Sequence, residues 1–218
     1  MLSQLLRRRF LKLCGEELSN RIDRKQFRPL AVEATRKHRE LLSSQPREET
    51  FGAREVTEFV VLGIASFQGI EAAGVGRKEA IRIIARVNRR ILEPLLSLAT
   101  LFATLLGRRP IDRSRRIWAF LNRIFPFAPP AWKRVDVSNG PDAFGFDYGS
   151  CPIATITREH AALDLCSGAF CEVDYWIGDA LKVHLDRKET LALGYARCRF
   201  RWHASDSAES RLRDVATQ

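Results

Sequence analysis

Cys171 and Asp174 stand three residues apart in the stretch AFCEVDYWIGDAL. At that spacing two side chains are neighbours on one face of a helix. A thiol becomes a nucleophile when it loses its proton, and a carboxylate beside it can carry a proton to or from a substrate. Each residue follows an apolar one, Phe170 and Val173, which belong to a stripe with Ile177 and Leu181. The pair therefore sits at the edge of a core-facing stripe, where a pocket can begin. A bare carboxylate raises a thiol's pKa, so a thiolate here also needs a cation or a helix dipole. On spacing alone, the competing reading is a half-buried thiol beside a solvated acid.

Three further residue groups could join this chemistry. Cys151 precedes Pro152 at an expected helix N-terminus, where the dipole and free N–H groups favour a thiolate. Cys198 alternates with Arg197 and Arg199, which turns it inward from a strand. Cys151, Cys171 and Cys198 with Asp174, His160 or His184 could make a metal site, but no pair has the close spacing of structural zinc sites. No metal and no cofactor are expected. Gly-x-Ser-x-Gly, P-loop, dinucleotide-binding and His-Glu-x-x-His motifs do not occur. The five cysteines are an odd number without Cys-x-x-Cys spacing, and the start MLSQLLRRRFLKLC lacks a long apolar core. Both point to reduced thiols in a cytoplasmic protein.

The elements that must hold these residues fall into two parts. Apolar spacing predicts helices over Leu2–Leu18, Phe27–Leu42 and Glu55–Ala73. Gly74 to Gly76 breaks the pattern, and Arg77 to about Leu106 reads as one helix or as two divided at Pro94. A shorter helix spans Trp118–Phe127, and Pro126, Pro129 and Pro130 close the helical part. The period then becomes two. Strands are expected at Trp132–Val137 and over Phe144 to Tyr148, joined by a hairpin at Asn139-Gly140. Helices follow from Pro152 to about Ala162 and over Ala169–Leu181. A strand runs from Val183 to about Leu193, and another carries Cys198, Phe200 and Trp202. The order strand, strand, helix, helix, strand, strand predicts an α+β fold. Its helical N-terminal region (1–130) packs with an α+β region (131–204) whose antiparallel sheet carries helices on one face. A polar tail (205–218) follows, and the whole forms one compact unit.

The net charge of +10 permits an anionic partner. Arginines are spread along the chain without interleaved aromatic residues, and no zinc-finger or RNP-like motif occurs, so no nucleic acid is expected. The apolar run Ile91–Leu106 is sixteen residues long and contains Glu93 and Pro94. That is shorter than the roughly twenty residues of a spanning helix. A buried or interfacial helix is expected, with Arg108, Arg109, Arg113, Arg115 and Arg116 beside it. Peripheral membrane contact and a homo-oligomer stay open as partners of this run and of the basic first helix.

The stretch from Phe144 to Trp202 carries Cys151-Pro152 after a strand, then Cys171-Glu172-Val173-Asp174, then Thr190-Leu191-Ala192-Leu193-Gly194-Tyr195-Ala196-Arg197-Cys198-Arg199-Phe200. With these motifs in this order it resembles the L-2-amino-thiazoline-4-carboxylic acid hydrolase family. The resemblance implies a hydrolase acting on non-peptide C–N bonds of a small cyclic amidine. With it come Cys171 as nucleophile and Asp174 as acid–base group. Cys151 and Cys198 would line the substrate pocket, and Thr190 would offer a hydroxyl. A non-catalytic small-molecule-binding or sensing domain is the alternative from another class.

Overall fold

The computed structural model describes residues 2–19, 21, 24–103, 109–137 and 140–205. Helix α1 (Leu2–Leu18) matches the expected bounds and turns Phe10, Leu13, Cys14 and Leu18 into the core. Its charged side faces α4 (Arg77–Ala103), where Arg86 bonds Glu17 and Arg90 bonds Glu16, each at 2.6 Å. α2 (Arg24–Ser43) is the second expected helix and packs on α3 (Phe51–Ala72). α3 starts four residues before Glu55 because Thr50 caps it: the Ala53 N–H donates to the Thr50 hydroxyl at 3.2 Å.

α4 is a single helix through Pro94. Proline there has no N–H for the ladder, and Pro94 itself is exposed. Leu96 and Ala103 reach the core, whereas Leu95, Leu98, Leu101 and Phe102 are each more than half exposed. Among the described residues no helix is long and apolar enough to cross a membrane. Leu105, Leu106 and Arg108 lie outside the described residues, as do Asn139 of the expected hairpin turn and positions 206–218 of the expected tail.

α5 (Pro110–Arg123) begins eight residues before Trp118. Proline at its first turn, after extended Arg109, nucleates it at a position needing no N–H partner. β1 (Arg134–Val137) and β2 (Ala143–Tyr148) form the expected antiparallel pair, from Arg134 opposite Tyr148 to Val137 opposite Gly145. α6 (Pro152–Glu159), a short α7 (Leu163–Leu165) and α8 (Glu172–Leu181) follow, then β3 (Val183–Asp186) and β4 (Cys198–Ala204). The sheet order is β1-β2-β4-β3, antiparallel throughout, and the fold is α+β as expected.

Among the described residues, two large cores and one small buried cluster are packed. One joins α1, α3 and α4 with Ile156 and Phe170. The other lies between the sheet and α5, α8 and the end of α4. Trp118 of α5 stands at its centre, with ring centroids 5.4 Å from Phe146, 5.9 Å from Phe200 and 5.2 Å from Trp202. Alternation places Phe144, Phe146 and Tyr148 of β2 and Cys198, Phe200 and Trp202 of β4 on this covered face.

Candidate functional site

The helix expected from Ala169 instead starts at Leu163 and winds as a π turn over Cys166–Phe170 before α8 begins. Tertiary contacts hold the wider turn in place. The Cys171 N–H donates to the Cys166 carbonyl at 2.9 Å, which closes an i→i+5 ring. Asn88 of α4, fully buried, donates its amide to the Ala169 carbonyl at 3.1 Å. Gly168 lies flush on α4, where a Cβ would meet Ile81 at 2.7 Å. Arg77 clamps the entry to the segment, reaching Asp164 through two bonds of 2.6 Å and the Ala161 carbonyl at 2.9 Å.

This turn decides where the thiols sit. Cys166 is buried in a small cluster with Ala154 and Ala192, against which Cys151, Cys171 and Leu191 pack. Cys198, opposite Tyr148 in the sheet register, accepts the Leu191 N–H at its sulfur, 3.2 Å away. Four of the five cysteines thus gather around one loop, and all five are free. Asp174, one turn along α8 from Cys171, is mostly covered.

The strand expected to run on to Leu193 ends at Asp186. The period that turns Val183 and Leu185 inward turns Arg187 inward as well. Its side chain is 3% exposed. It ion-pairs with Asp174 and donates to the Cys171 carbonyl at 2.7 Å. The guanidinium lies 5.1 Å from the centre of the Tyr175 ring and 4.9 Å from that of Phe200. The Tyr175 hydroxyl donates to the Arg187 carbonyl at 3.1 Å. These bonds pull the chain away from the sheet and into the 3-10 turn Leu191–Leu193. Thr190 is buried and caps that turn: its hydroxyl accepts the Leu193 N–H at 3.2 Å. It thereby shapes the loop whose Leu191 N–H holds Cys198.

The electrostatics separate the thiols. A hydrogen bond from Cys166 draws the Cys171 pKa below the ordinary thiol value, and the charge of Arg187 adds to it against the opposing effect of burial. Cys166 goes up correspondingly, as the donor to Cys171 and through its burial. Burial pushes Cys151 up to about 12, outweighing the Ala154 N–H at the start of α6. The helix N-terminus therefore does not make Cys151 a thiolate. Burial also pushes Cys198 up to about 11, against the Leu191 N–H. Asp174 is raised above the usual carboxylate range by burial, with the charge of Arg187 holding it back.

The structure thus brings Cys151, Cys171, Cys198 and Asp174 together and uses Thr190 to form the adjoining turn. Sequence reasoning left out two members of the group. Arg187 supplies the cation that a thiolate beside Asp174 requires, and the inward period from Val183 already pointed to it. Cys166 carried no signal, because a regular helix would turn it away from Cys171. Among the described residues no set of three or more His, Cys, Asp or Glu side chains is arranged to hold a metal ion. The clefts among α1, α2 and α3, one of them beside buried His38, lie apart from this group.

Comparison with curated proteins and with solved structures gives no match. The family model for L-2-amino-thiazoline-4-carboxylic acid hydrolase matches residues 54–202. That span is about two thirds of the chain, from the first turn of α3 to Trp202 in β4, and it includes every residue of the group around Cys171. The chain belongs to the L-2-amino-thiazoline-4-carboxylic acid hydrolase family.

Proposed function

We propose that this chain hydrolyses the ring of a small cyclic amidine of the 2-aminothiazoline type, with Cys171 as nucleophile. The observation that carries the reading is the setting of Cys171, whose carbonyl accepts from the buried Arg187 at 2.7 Å while the same guanidinium pairs with Asp174 one turn along. That charge favours a Cys171 thiolate, whereas burial pushes Cys151 and Cys198 up.

The electrophile in such a ring is the carbon bonded to the ring sulfur, the ring nitrogen and the exocyclic nitrogen. Attack by the Cys171 thiolate forms a C–S bond there and moves the C=N electron pair onto nitrogen. Asp174 then gives a proton to that nitrogen and later takes one from water. Collapse breaks one ring bond and leaves the opened substrate joined to Cys171. Water then adds to the same carbon, Cys171 departs as thiolate, and a carbamoyl group remains on the product. The net change is the addition of one water without loss of ammonia. Sulfur leaves more readily than nitrogen, so ring opening is expected to release a thiol. A C–N opening, in which nitrogen leaves under protonation by Asp174, releases an amine instead.

The test is turnover of a panel of cyclic amidines by the purified chain, read by thiol titration and amine labelling. Intact-mass measurement on quenched reactions looks for an adduct on Cys171. Cys171→Ser is expected to abolish both turnover and adduct, since serine does not readily form the anion. Loss of one positioned acid–base group costs about 10²–10⁴-fold, the expectation for Asp174→Asn. Cys171→Ser that retains turnover removes covalent catalysis. Tight binding of an amidine with no product across the panel favours the binding-domain alternative.

A further inference from the structure

The π turn has a consequence for Cys166 that ring hydrolysis does not use. In a regular helix five residues advance about 500°, which leaves the two side chains roughly 140° apart around the axis. The i→i+5 ring closed by the Cys171 N–H on the Cys166 carbonyl narrows that offset, and Cys171 packs against the small cluster that holds Cys166. They differ in burial. Cys166 is 1% exposed, whereas Cys171 keeps part of its surface uncovered. Cys166 is the buried thiol of the cluster on which Cys171 packs, while Cys198 is engaged with the Leu191 N–H.

A partly uncovered cysteine packed against a fully buried one is the arrangement of a peroxide-reactive pair. We infer that Cys171 and Cys166 form an oxidation site that takes a hydroperoxide and closes a disulfide across the π turn. The Cys171 thiolate attacks the terminal peroxide oxygen, the O–O bond breaks, and with one proton the alcohol or water leaves. Cys171 is now a sulfenic acid, oxidised by two electrons. The Cys166 sulfur then attacks the Cys171 sulfur, the S–O bond breaks, and the hydroxyl departs as water with the Cys166 proton. A thiol reductant reverses the disulfide by exchange. The lowered pKa of Cys171 favours the first step. If Cys171 is the hydrolytic nucleophile, as proposed above, the disulfide removes it, so peroxide would switch the hydrolase off.

One tryptic peptide, residues 159–182, contains both cysteines and neither Cys151 nor Cys198. The reduced full-length chain is treated with hydrogen peroxide, blocked with an alkylating reagent and mapped without reductant. The expected product is this peptide unalkylated, lighter by a hydrogen pair, and returned to two alkylated thiols when reductant is added first. In Cys166→Ala the same treatment is expected to leave Cys171 as a sulfenic acid trapped by dimedone. A cross-link from Cys171 to Cys151 or Cys198 overturns the assignment of Cys166. So does wild-type Cys171 passing to the sulfinic acid with no disulfide formed. These readouts need no substrate, and the wild-type map stands even if the variant does not fold. A disulfide that forms while turnover of an amidine persists supports the oxidation site and overturns Cys171 as the hydrolytic nucleophile.

Discussion

Replacing Arg187 with methionine keeps much of the stem's bulk between Tyr175 and Phe200 but removes the charge. The side chain is 3% exposed and its partner Asp174 is 16% exposed, so solvent screens the pair little. Without the guanidinium, Asp174 loses its counter-charge and the Cys171 carbonyl loses a donor. Removing one partner of a buried ion pair costs about 3–5 kcal/mol, because the remaining charge is left uncompensated. For a chain of this length each kcal/mol shifts the Tm by about 2–4 °C, so a fall of roughly 6–20 °C is expected. The effect should depend on pH in a definite direction. The folded-state pKa of Asp174 already lies above its usual value, and losing Arg187 raises it further. A raised folded pKa gives stability that is complete below the unfolded value and is lost as pH rises through the folded value. The deficit of Arg187→Met relative to the parent chain should therefore be largest at neutral pH and shrink as pH falls and Asp174 protonates. The assay is thermal or urea unfolding of both proteins across that range. The double variant Arg187→Met with Asp174→Asn should recover a large part of the loss, since it removes the stranded charge. A single variant within about 2 °C of the parent at neutral pH, the behaviour of an ordinary surface change, would refute the reasoning.

Alkylation rates resolved by residue should separate the thiols by pH. Cys171, with its lowered pKa, should react at a pH where Cys151 and Cys198 are still protonated, and its profile should move to higher pH in Arg187→Met. A Cys171 profile that coincides with those of the other two would contradict the assignment. Asn88→Ala should cost about 1–3 kcal/mol, because the buried Ala169 carbonyl loses its donor, and should slow Cys171 alkylation as the π turn relaxes. Unchanged unfolding and an unchanged alkylation rate together would mean that Asn88 does not hold the turn.

Much of the architecture was legible wherever one physical signal dominated. The alternation of Phe144, Phe146 and Tyr148, and of Cys198, Phe200 and Trp202, could only be satisfied by two strands sharing one covered face. The apolar spacing of Phe10, Leu13 and Leu18 made α1 a helix with one core-facing side. Cys171 and Asp174 were readable as neighbours because their spacing survives the change from π turn to α8. The same local order of Cys-Pro, Cys-x-x-Asp and the Thr190 to Phe200 run was enough to indicate the family.

What the sequence could not decide depends on contacts between residues far apart in the chain. Local spacing gives no reason for a π turn at Cys166–Phe170. It exists because Asn88, some eighty residues away, accepts the job of bonding Ala169, and because Gly168 lets the turn sit on Ile81. The inward Arg187 was present in the period of β3, but its partner Asp174 lies across α8, and only their meeting explains why the strand stops at Asp186. Cys151 shows the limit most plainly. Its position before Pro152 argued for a thiolate, yet burial by the surrounding fold drives its pKa the other way, because desolvating an anion costs more than a short helix's N–H groups return. Sequence by itself determined which residues could share a face; burial and charge, which only the tertiary structure sets, push the Cys151 and Cys198 thiols up and hold Cys171 beside the buried Arg187.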